Sequence, residues 1–200
     1  VTSSPGNILI LGANGQIARV ATRLLVERTE ARLTLYLRNA ARLRQWAGQD
    51  RVRIIEGDVL DQAALDAAMA GHDIVYANLA GDMERQARAI VAAMDKASVR
   101  RLIFISSMGI YDEDGETHGA ILDPYRRSAA VVEGSDLDYT VIRPAWLNDR
   151  DEIAYGTSVK GEPFENSSAY VSRKSIADLI VRLVSEPGFG VRESLGVHHL

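Results

Sequence analysis

The stretch Asn7-Ile8-Leu9-Ile10-Leu11-Gly12-Ala13-Asn14-Gly15-Gln16-Ile17-Ala18 decides the fold. A short run rich in Ile and Leu is followed by two glycines three apart, and a helical pattern begins at once. Such a run reads as a strand of a parallel sheet, covered on both faces. The glycines serve a tight turn, and they let an anion approach backbone N–H groups with no Cβ in the way. The helix N-terminus behind them offers free donors and partial positive charge. Ala18 is small enough for helix and strand to pack closely. The spacing G-x-x-G-x-x-A departs from the common dinucleotide fingerprint G-x-G-x-x-G, yet it sits in the strand–turn–helix context that the fingerprint requires. Gly12, Asn14, Gly15, Gln16 and Ile17 are therefore candidate contacts for a dinucleotide pyrophosphate.

Outward from this turn the chain alternates. Apolar runs at Asn7–Leu11, Arg32–Leu37, Val52–Glu56, Asp73–Ala77, Arg101–Ile105 and Tyr139–Ile142 read as strands. Between them lie helical patterns with a 3.6-residue period. Ile17, Val20, Ala21, Leu24 and Leu25 share one face, as do Ala87, Ile90, Val91 and Met94, and again Ile176, Leu179, Ile180, Leu183 and Val184. Asp61 suits an N-cap and Gly71 the position after a helix C-terminus. The alternation predicts a doubly wound, Rossmann-type α/β fold with a parallel sheet, one domain over residues 1–200. Two stretches break the pattern, 107–124 and 148–170. Both are polar and irregular, both follow strands of the second half, and both are expected on the substrate side of the sheet's carboxyl edge.

Composition excludes several classes. With 46% hydrophobic and 25% charged residues among 200, the chain has ordinary globular material and lacks the signature of disorder. A net charge of -4 disfavours a nucleic-acid partner. The absence of cysteine removes disulfides, thiolate zinc sites and a Cys nucleophile. No apolar run nears the ~20 residues of a membrane span, and the polar lead-in Val1–Asn7 does not read as a signal peptide. A cytoplasmic protein, with a small-molecule substrate and no membrane partner, is the expectation, as a monomer or small homo-oligomer.

Arg38 closes the second run, twenty positions beyond Ala18. An NAD enzyme would place Asp or Glu near here for the ribose 2′-hydroxyl, whereas Arg suits a 2′-phosphate. NADP is therefore expected over NAD.

Five pieces in order make the pattern more specific: Gly12–Ala18, Gly57-Asp58-Val59, Asn78-Leu79-Ala80-Gly81, Ile105-Ser106-Ser107-Met108-Gly109 and Asp138-Tyr139-Thr140-Val141-Ile142-Arg143-Pro144. Together they cover nearly the whole chain. In these it resembles the atypical short-chain dehydrogenase/reductase superfamily, the small NmrA-like and flavin-reductase-like members. The resemblance implies that Asp58 and Val59 flank the adenine, that Leu79, Ala80 and Gly81 line the cofactor, and that Pro144 with Ala145 and Trp146 lies near the nicotinamide. It also implies a catalytic Ser, matched by Ser107 with Ser106 as the lesser alternative. The family's Tyr-x-x-x-Lys pair is missing. Tyr125 falls at the Lys position, and Ile121 stands where the proton-donating Tyr would be.

Three readings stay open at this point. Tyr125 supplies a hydroxyl beside the cofactor, or hydride passes to a reactive acceptor with no side-chain acid, as the similar flavin and biliverdin reductases imply. Alternatively the protein is a non-catalytic NAD(P)H sensor or regulator. A nucleotide-sugar epimerase is disfavoured by the same missing pair and by length. Other chemistry-bearing residues read more simply as structure. His118 is a loop histidine, His198 and His199 point to opposite faces of an extended segment and make a poor metal pair, and Tyr111, Tyr155 and Trp146 read as packing. No metal site is expected.

Overall fold

The computed structural model describes residues 6–200; Val1–Pro5 of the polar lead-in lie outside the described residues. In chain order the first half runs β1 (Asn7–Leu11), α1 (Gln16–Arg28), β2 (Arg32–Leu37), a 3-10 segment (Ala40–Trp46), β3 (Val52–Glu56), α2 (Gln62–Met69), β4 (Ile74–Ala77) and α3 (Met83–Ala97). The second half runs β5 (Arg101–Ile105), a short 3-10 turn (Gly119–Leu122), α4 (Asp123–Glu133), β6 (Asp138–Pro144), β7 (Trp146–Asn148), β8 (Gly156–Val159), β9 (Tyr170–Ser172), α5 (Arg173–Ser185) and β10 (Glu193–His198).

Eight strands form one sheet in the order β3-β2-β1-β4-β5-β6-β10-β8, parallel except where β8 runs against β10. The alternation of β1 fixes both faces. Ile8 and Ile10 point into a core shared with α1 and α5, whereas Leu9 and Leu11 point into a core shared with α2, α3 and α4. The apolar faces read from the helical period are the faces that pack, with Val20 and Val91 at their half-buried margins. Asp61 caps α2, its carboxylate accepting from Ala64 N at 3.1 Å, and Gly71 follows that helix at φ +79°.

The sheet order reverses between β1 and β4. That reversal opens a crevice at the carboxyl ends of the strands, the place where open α/β sheets bind ligands.

The irregular stretches hold more order than their sequence suggests. Residues 107–124 include the turn Gly119–Leu122 and the first residues of α4. Residues 148–170 contain β8, and β7 and β9 pair in a separate two-stranded parallel sheet. The last strand, β10, has no counterpart in the reading of the sequence. β4 begins at Ile74, one residue later than expected, because Asp73 turns its carboxylate to accept from Asn7 N at 2.7 Å. β6 extends beyond Tyr139–Ile142 to Asp138–Pro144, since β10 supplies partners as far as Pro144. No helix among the described residues is long and apolar enough to cross a membrane.

Candidate functional site

The glycine turn is held from three sides. Gly12 N and Ala13 N both donate to Tyr36 O of β2, at 3.1 and 3.2 Å, and Gly15 N closes the turn onto Gly12 O at 2.8 Å. Gly12 has φ +71°, and a Cβ there would collide with the carbonyl of Asn78 at the end of β4. The helix α1 lacks a side-chain cap of its own at Gly15. Instead Asn78 Oδ1 accepts from Ala18 N at 3.0 Å, sixty residues away in sequence. A Cβ on Gly15 would stand 2.5 Å from that same Oδ1, so the glycine makes room for the amide that caps the helix. Asn78 stands in the Asn78–Gly81 motif, where nothing local in the sequence marks it as a helix cap.

A cleft of roughly 400 Å³ opens over this turn. Eight expected cofactor contacts line it: Gly12, Asn14, Gly15, Arg38, Asp58, Val59, Leu79 and Ala80. Tyr36, Gly57, Asn78, Gln86 and Arg42 join them. Gly57 is required beneath the Tyr36 ring, which a Cβ would overlap, and Tyr36 OH donates to Asp58 O at 3.0 Å. Burial, then the neighbouring Asp61 and Asp58 carboxylates, raise the Tyr36 pKa and keep the phenol protonated as that donor.

Arg38, just after β2, and Arg42, in the 3-10 segment, are both exposed at the cleft's rim, and neither takes part in an ion pair among the described residues. Arg42, four positions after Arg38, carries no motif in the sequence and enters the site only through the fold. These residues fit a dinucleotide. The turn offers backbone donors without a Cβ, the rim offers free positive charge, and Val59 and Leu79 offer apolar walls to a base.

Four other expected contacts lie outside the lining. Gln16 Oε1 accepts from Arg173 Nη2 at 2.6 Å, and Ile17 is buried in the core. Gly81 follows β4 with φ +88°, and Pro144 ends β6 with its carbonyl accepting from Met108 N at 3.1 Å. Ser107 and Tyr125 also stand apart from the cleft. Ser107 is half-buried and turns its hydroxyl back onto Met108 O at 3.0 Å. Tyr125 lies on α4, its ring packed against the core shared by α2, α3 and α4. Ile121, at the position of the family's Tyr, is 77% exposed. Ser106 Oγ is buried with no hydrogen-bond partner among the described residues.

The loop after β5 is tied down by a buried network. Arg143 of β6 is fully buried and pairs with Glu113, and its Nε donates to Ser194 Oγ of β10 at 3.0 Å. Glu113 also accepts from Gly109 N and Tyr111 N, at 3.1 and 2.9 Å. Tyr111 OH donates to Glu133, and burial together with that carboxylate drives its pKa well above the ordinary tyrosine value. In the same loop His118 Nε2 stands 2.5 Å from Asp114 Oδ2, and Asp114, Glu116 and His118 bring their ligand atoms within 4.8 Å of one another. Asp114 is committed to that histidine and to Glu116 N. His198 is buried edge-on to Phe164, while His199 faces Glu152.

A family model described as NAD(P)H-binding matches residues 12–187. The chain belongs to this NAD(P)H-binding family. Among solved structures, this member of the family is similar to a Rossmann-fold NAD(P)-binding family protein from Shigella flexneri, with 42% identity over 97% of this chain and 93% of that one and a TM-score of 0.87. It is also similar to a short-chain dehydrogenase/reductase from Veillonella parvula in complex with NADP, at 27% identity over 97% and 94% of the two chains, TM-score 0.88. Quinone oxidoreductase 2 of Escherichia coli K12 is 24% identical over 191 residues, 90% of this chain and 65% of that protein. A (4-alkanoyl-5-oxo-2,5-dihydrofuran-3-yl)methyl phosphate reductase of Streptomyces griseus is 28% identical over 137 residues, 68% of this chain. The chain spans 46% of that reductase's length.

Proposed function

We propose that this protein is an NADP(H)-dependent oxidoreductase that passes hydride to a small, reactive acceptor of the flavin, quinone or carbonyl class. The observation that carries the reading is the cleft, where the glycine turn meets two guanidiniums, Arg38 after β2 and Arg42 in the 3-10 segment, that have no ion-pair partner among the described residues. Gly12, Asn14 and Gly15 would hold the pyrophosphate, with Gln16 and Ile17 contributing backbone donors from the first turn of α1. Arg38 and Arg42 would hold a 2′-phosphate, and Asp58, Val59, Leu79 and Ala80 would enclose the base. Gly81 and Pro144 would border the nicotinamide end. The bound nicotinamide supplies the hydride.

The side chains favour transfer without a protein acid. Ile121 has no proton to give, Ser107 donates its hydroxyl to the carbonyl of Met108, and the half-buried Tyr125 packs against the core shared by α2, α3 and α4. Such a protein forfeits about 10²–10⁴-fold from general acid catalysis and depends on proximity to an acceptor that needs little help. The same three observations support the second reading, a dinucleotide sensor. A small-molecule substrate and a monomer or small homo-oligomer belong to the proposal.

One experiment tests both halves. NADPH and NADH are titrated against wild type, Arg38→Ala and Arg42→Ala, and NADPH oxidation is followed with a panel of flavins, quinones and aldehydes. The expected result is a roughly 10- to 100-fold preference for NADPH, reduced in each variant, since one charge-assisted contact contributes about 1.5–3 kcal/mol. Ser107→Ala and Tyr125→Phe should keep most of the turnover. Tight NADPH binding with no turnover on any acceptor would make the protein a sensor, and equal affinity for the two dinucleotides would remove the role of the arginines.

A further inference from the structure

Trp146, expected to pack, is 54% exposed, and Tyr170 is 56% exposed. The two are register partners across β7 and β9. Paired positions of a parallel ladder turn their side chains to the same face, with the strands about 5 Å apart. Leu147 and Val171 pack on the core shared with α1 and α5. The fold thus sets two large rings side by side in solvent. Single exposed apolar residues are ordinary, whereas a joined patch marks a binding surface.

The patch stands at the carboxyl edge of the main sheet, since only Ala145 separates β7 from β6. The small sheet is also tied to the cofactor turn. Arg173, the residue after β9, donates to Gln16 Oε1 at the start of α1 and to Asp149 Oδ1 after β7, at 2.6 and 2.9 Å. Tyr170 forms one wall of a pocket of roughly 330 Å³, with Asn148, Arg150, Ala169 and His199. Arg150 is exposed there. Its neighbours Asp149 and Asp151 pair with Arg173 and Lys174, and Arg150 itself enters no ion pair among the described residues. Its backbone N donates to Asn148 Oδ1 at 3.0 Å, which fixes the turn that carries it.

Aromatic faces bind flat conjugated rings, and a free guanidinium beside them binds acidic oxygens through charge-assisted hydrogen bonds. We propose that Trp146, Tyr170 and Arg150 hold the hydride acceptor, and that this acceptor is a planar conjugated ring, quinone or flavin, bearing a sulfonate, carboxylate or phosphate group. The inference rests on the reductase reading above and narrows its acceptor to one shape and one sign of charge. The ring takes a hydride, with both electrons, from the reduced dinucleotide, and water supplies the proton. The oxidised dinucleotide and the dihydro form of the ring are the products.

Binding is measured by isothermal titration calorimetry on the NADP+-loaded protein, with anthraquinone-2-sulfonate against 2-(hydroxymethyl)anthraquinone and FMN against riboflavin. NADPH oxidation is followed with the same four compounds. Wild type should bind the charged member of at least one pair roughly tenfold more tightly, and a preference confined to one pair identifies the ring as quinone or flavin. Arg150→Gln should remove the preference and leave the neutral compound bound as before. Trp146→Ala and Tyr170→Ala should each weaken both members roughly fivefold or more, with NADP+ affinity and melting temperature close to those of wild type. Equal binding of charged and neutral members by wild type, or aromatic variants that bind as wild type does, overturns this inference and leaves the reductase reading standing. So does a dimer in sedimentation that Trp146→Glu dissolves, since a second copy then covers the face. A wild type that does not bind NADP+ overturns the reading of the cleft and this inference with it.

Discussion

Asn78 joins the two halves of the cofactor turn. Its side-chain oxygen caps α1 while its main-chain carbonyl lies against Gly12. An N-terminal cap contributes about 1 kcal/mol, and here the cap comes from β4, so its loss loosens the turn as well as the helix. Asn78→Ala should lower the melting temperature by a few degrees, on the order of 2–4 °C per kcal/mol for a chain of this size. It should also weaken NADPH binding several-fold in a fluorescence titration, because the turn's N–H groups lose their fixed direction. An Asn78→Ala variant with wild-type affinity would show that the turn holds itself. The contact also bears on glycine. Valine at Gly15 would strike Asn78 before it met any ligand, so that change disturbs the cap together with the binding surface.

Among the elements, the turn between α2 and β4 carries a histidine that reports on its surroundings. His72 Nδ1 lies 3.3 Å from Met69 O, and a carbonyl only accepts, so Nδ1 carries the proton. Nε2 then accepts from Thr34 Oγ1 of β2 at 2.8 Å, an arrangement of the neutral ring. Burial is the main cause that holds its pKa below the ordinary histidine value, with Arg53 adding to it, against the raising effect of the Met69 bond. The unfolded chain therefore takes up the proton first as pH falls. The stabilising contribution is full above about pH 6.5 and is lost as pH drops toward the lower folded value. Urea midpoints measured from pH 8 to pH 5 should fall more steeply for wild type than for His72→Gln, and parallel curves would refute this.

The elements also show what a sequence carries. Runs such as Ile8–Leu11 and Leu33–Leu37 announce themselves because parallel strands are apolar on both faces, and the cap at Asp61 and the turn at Gly12 are local chemistry. Trp146–Asn148, Gly156–Val159 and Tyr170–Ser172 are short, mixed in polarity, and defined by partners distant in the chain, so no local period marks them. β10, Glu193–His198, is broken by Gly196, which must lack a side chain beneath Phe164 and Ser158. The same rule sorts the site. Glycines and Arg38 are legible from spacing, whereas Asn78 matters through a contact with Ala18 that folding alone creates.

Across the whole molecule, the buried Arg143–Glu113 pair fastens the loop after β5 to β6 and, through Ser194, to β10. Both side chains are almost wholly removed from water, and breaking such a pair by removing one partner costs roughly 3–5 kcal/mol. Glu113→Gln should therefore lower the urea midpoint far more than any single surface ion pair, such as Arg88–Glu84, whose loss costs about 0.3–0.5 kcal/mol. Replacing both partners together, Glu113→Leu with Arg143→Met, should recover part of the loss, because no charge is then stranded. A midpoint for Glu113→Gln within error of wild type would show that the pair adds nothing.

β10 lies inside the sheet, between β6 and β8, although it follows every other strand along the chain. During synthesis β6 therefore emerges with one flank bare, a row of unpaired N–H and C=O groups, while the Arg143 guanidinium waits for Ser194, fifty-one residues downstream. A bare strand edge is a template for pairing with another chain. The growing polypeptide thus passes through an interval in which β8 has nothing to dock on and neighbouring nascent chains compete for the slot that Glu193–His198 will fill. Closure of that slot is a long-range event, which makes it slow and makes crowding on the polysome a hazard to yield.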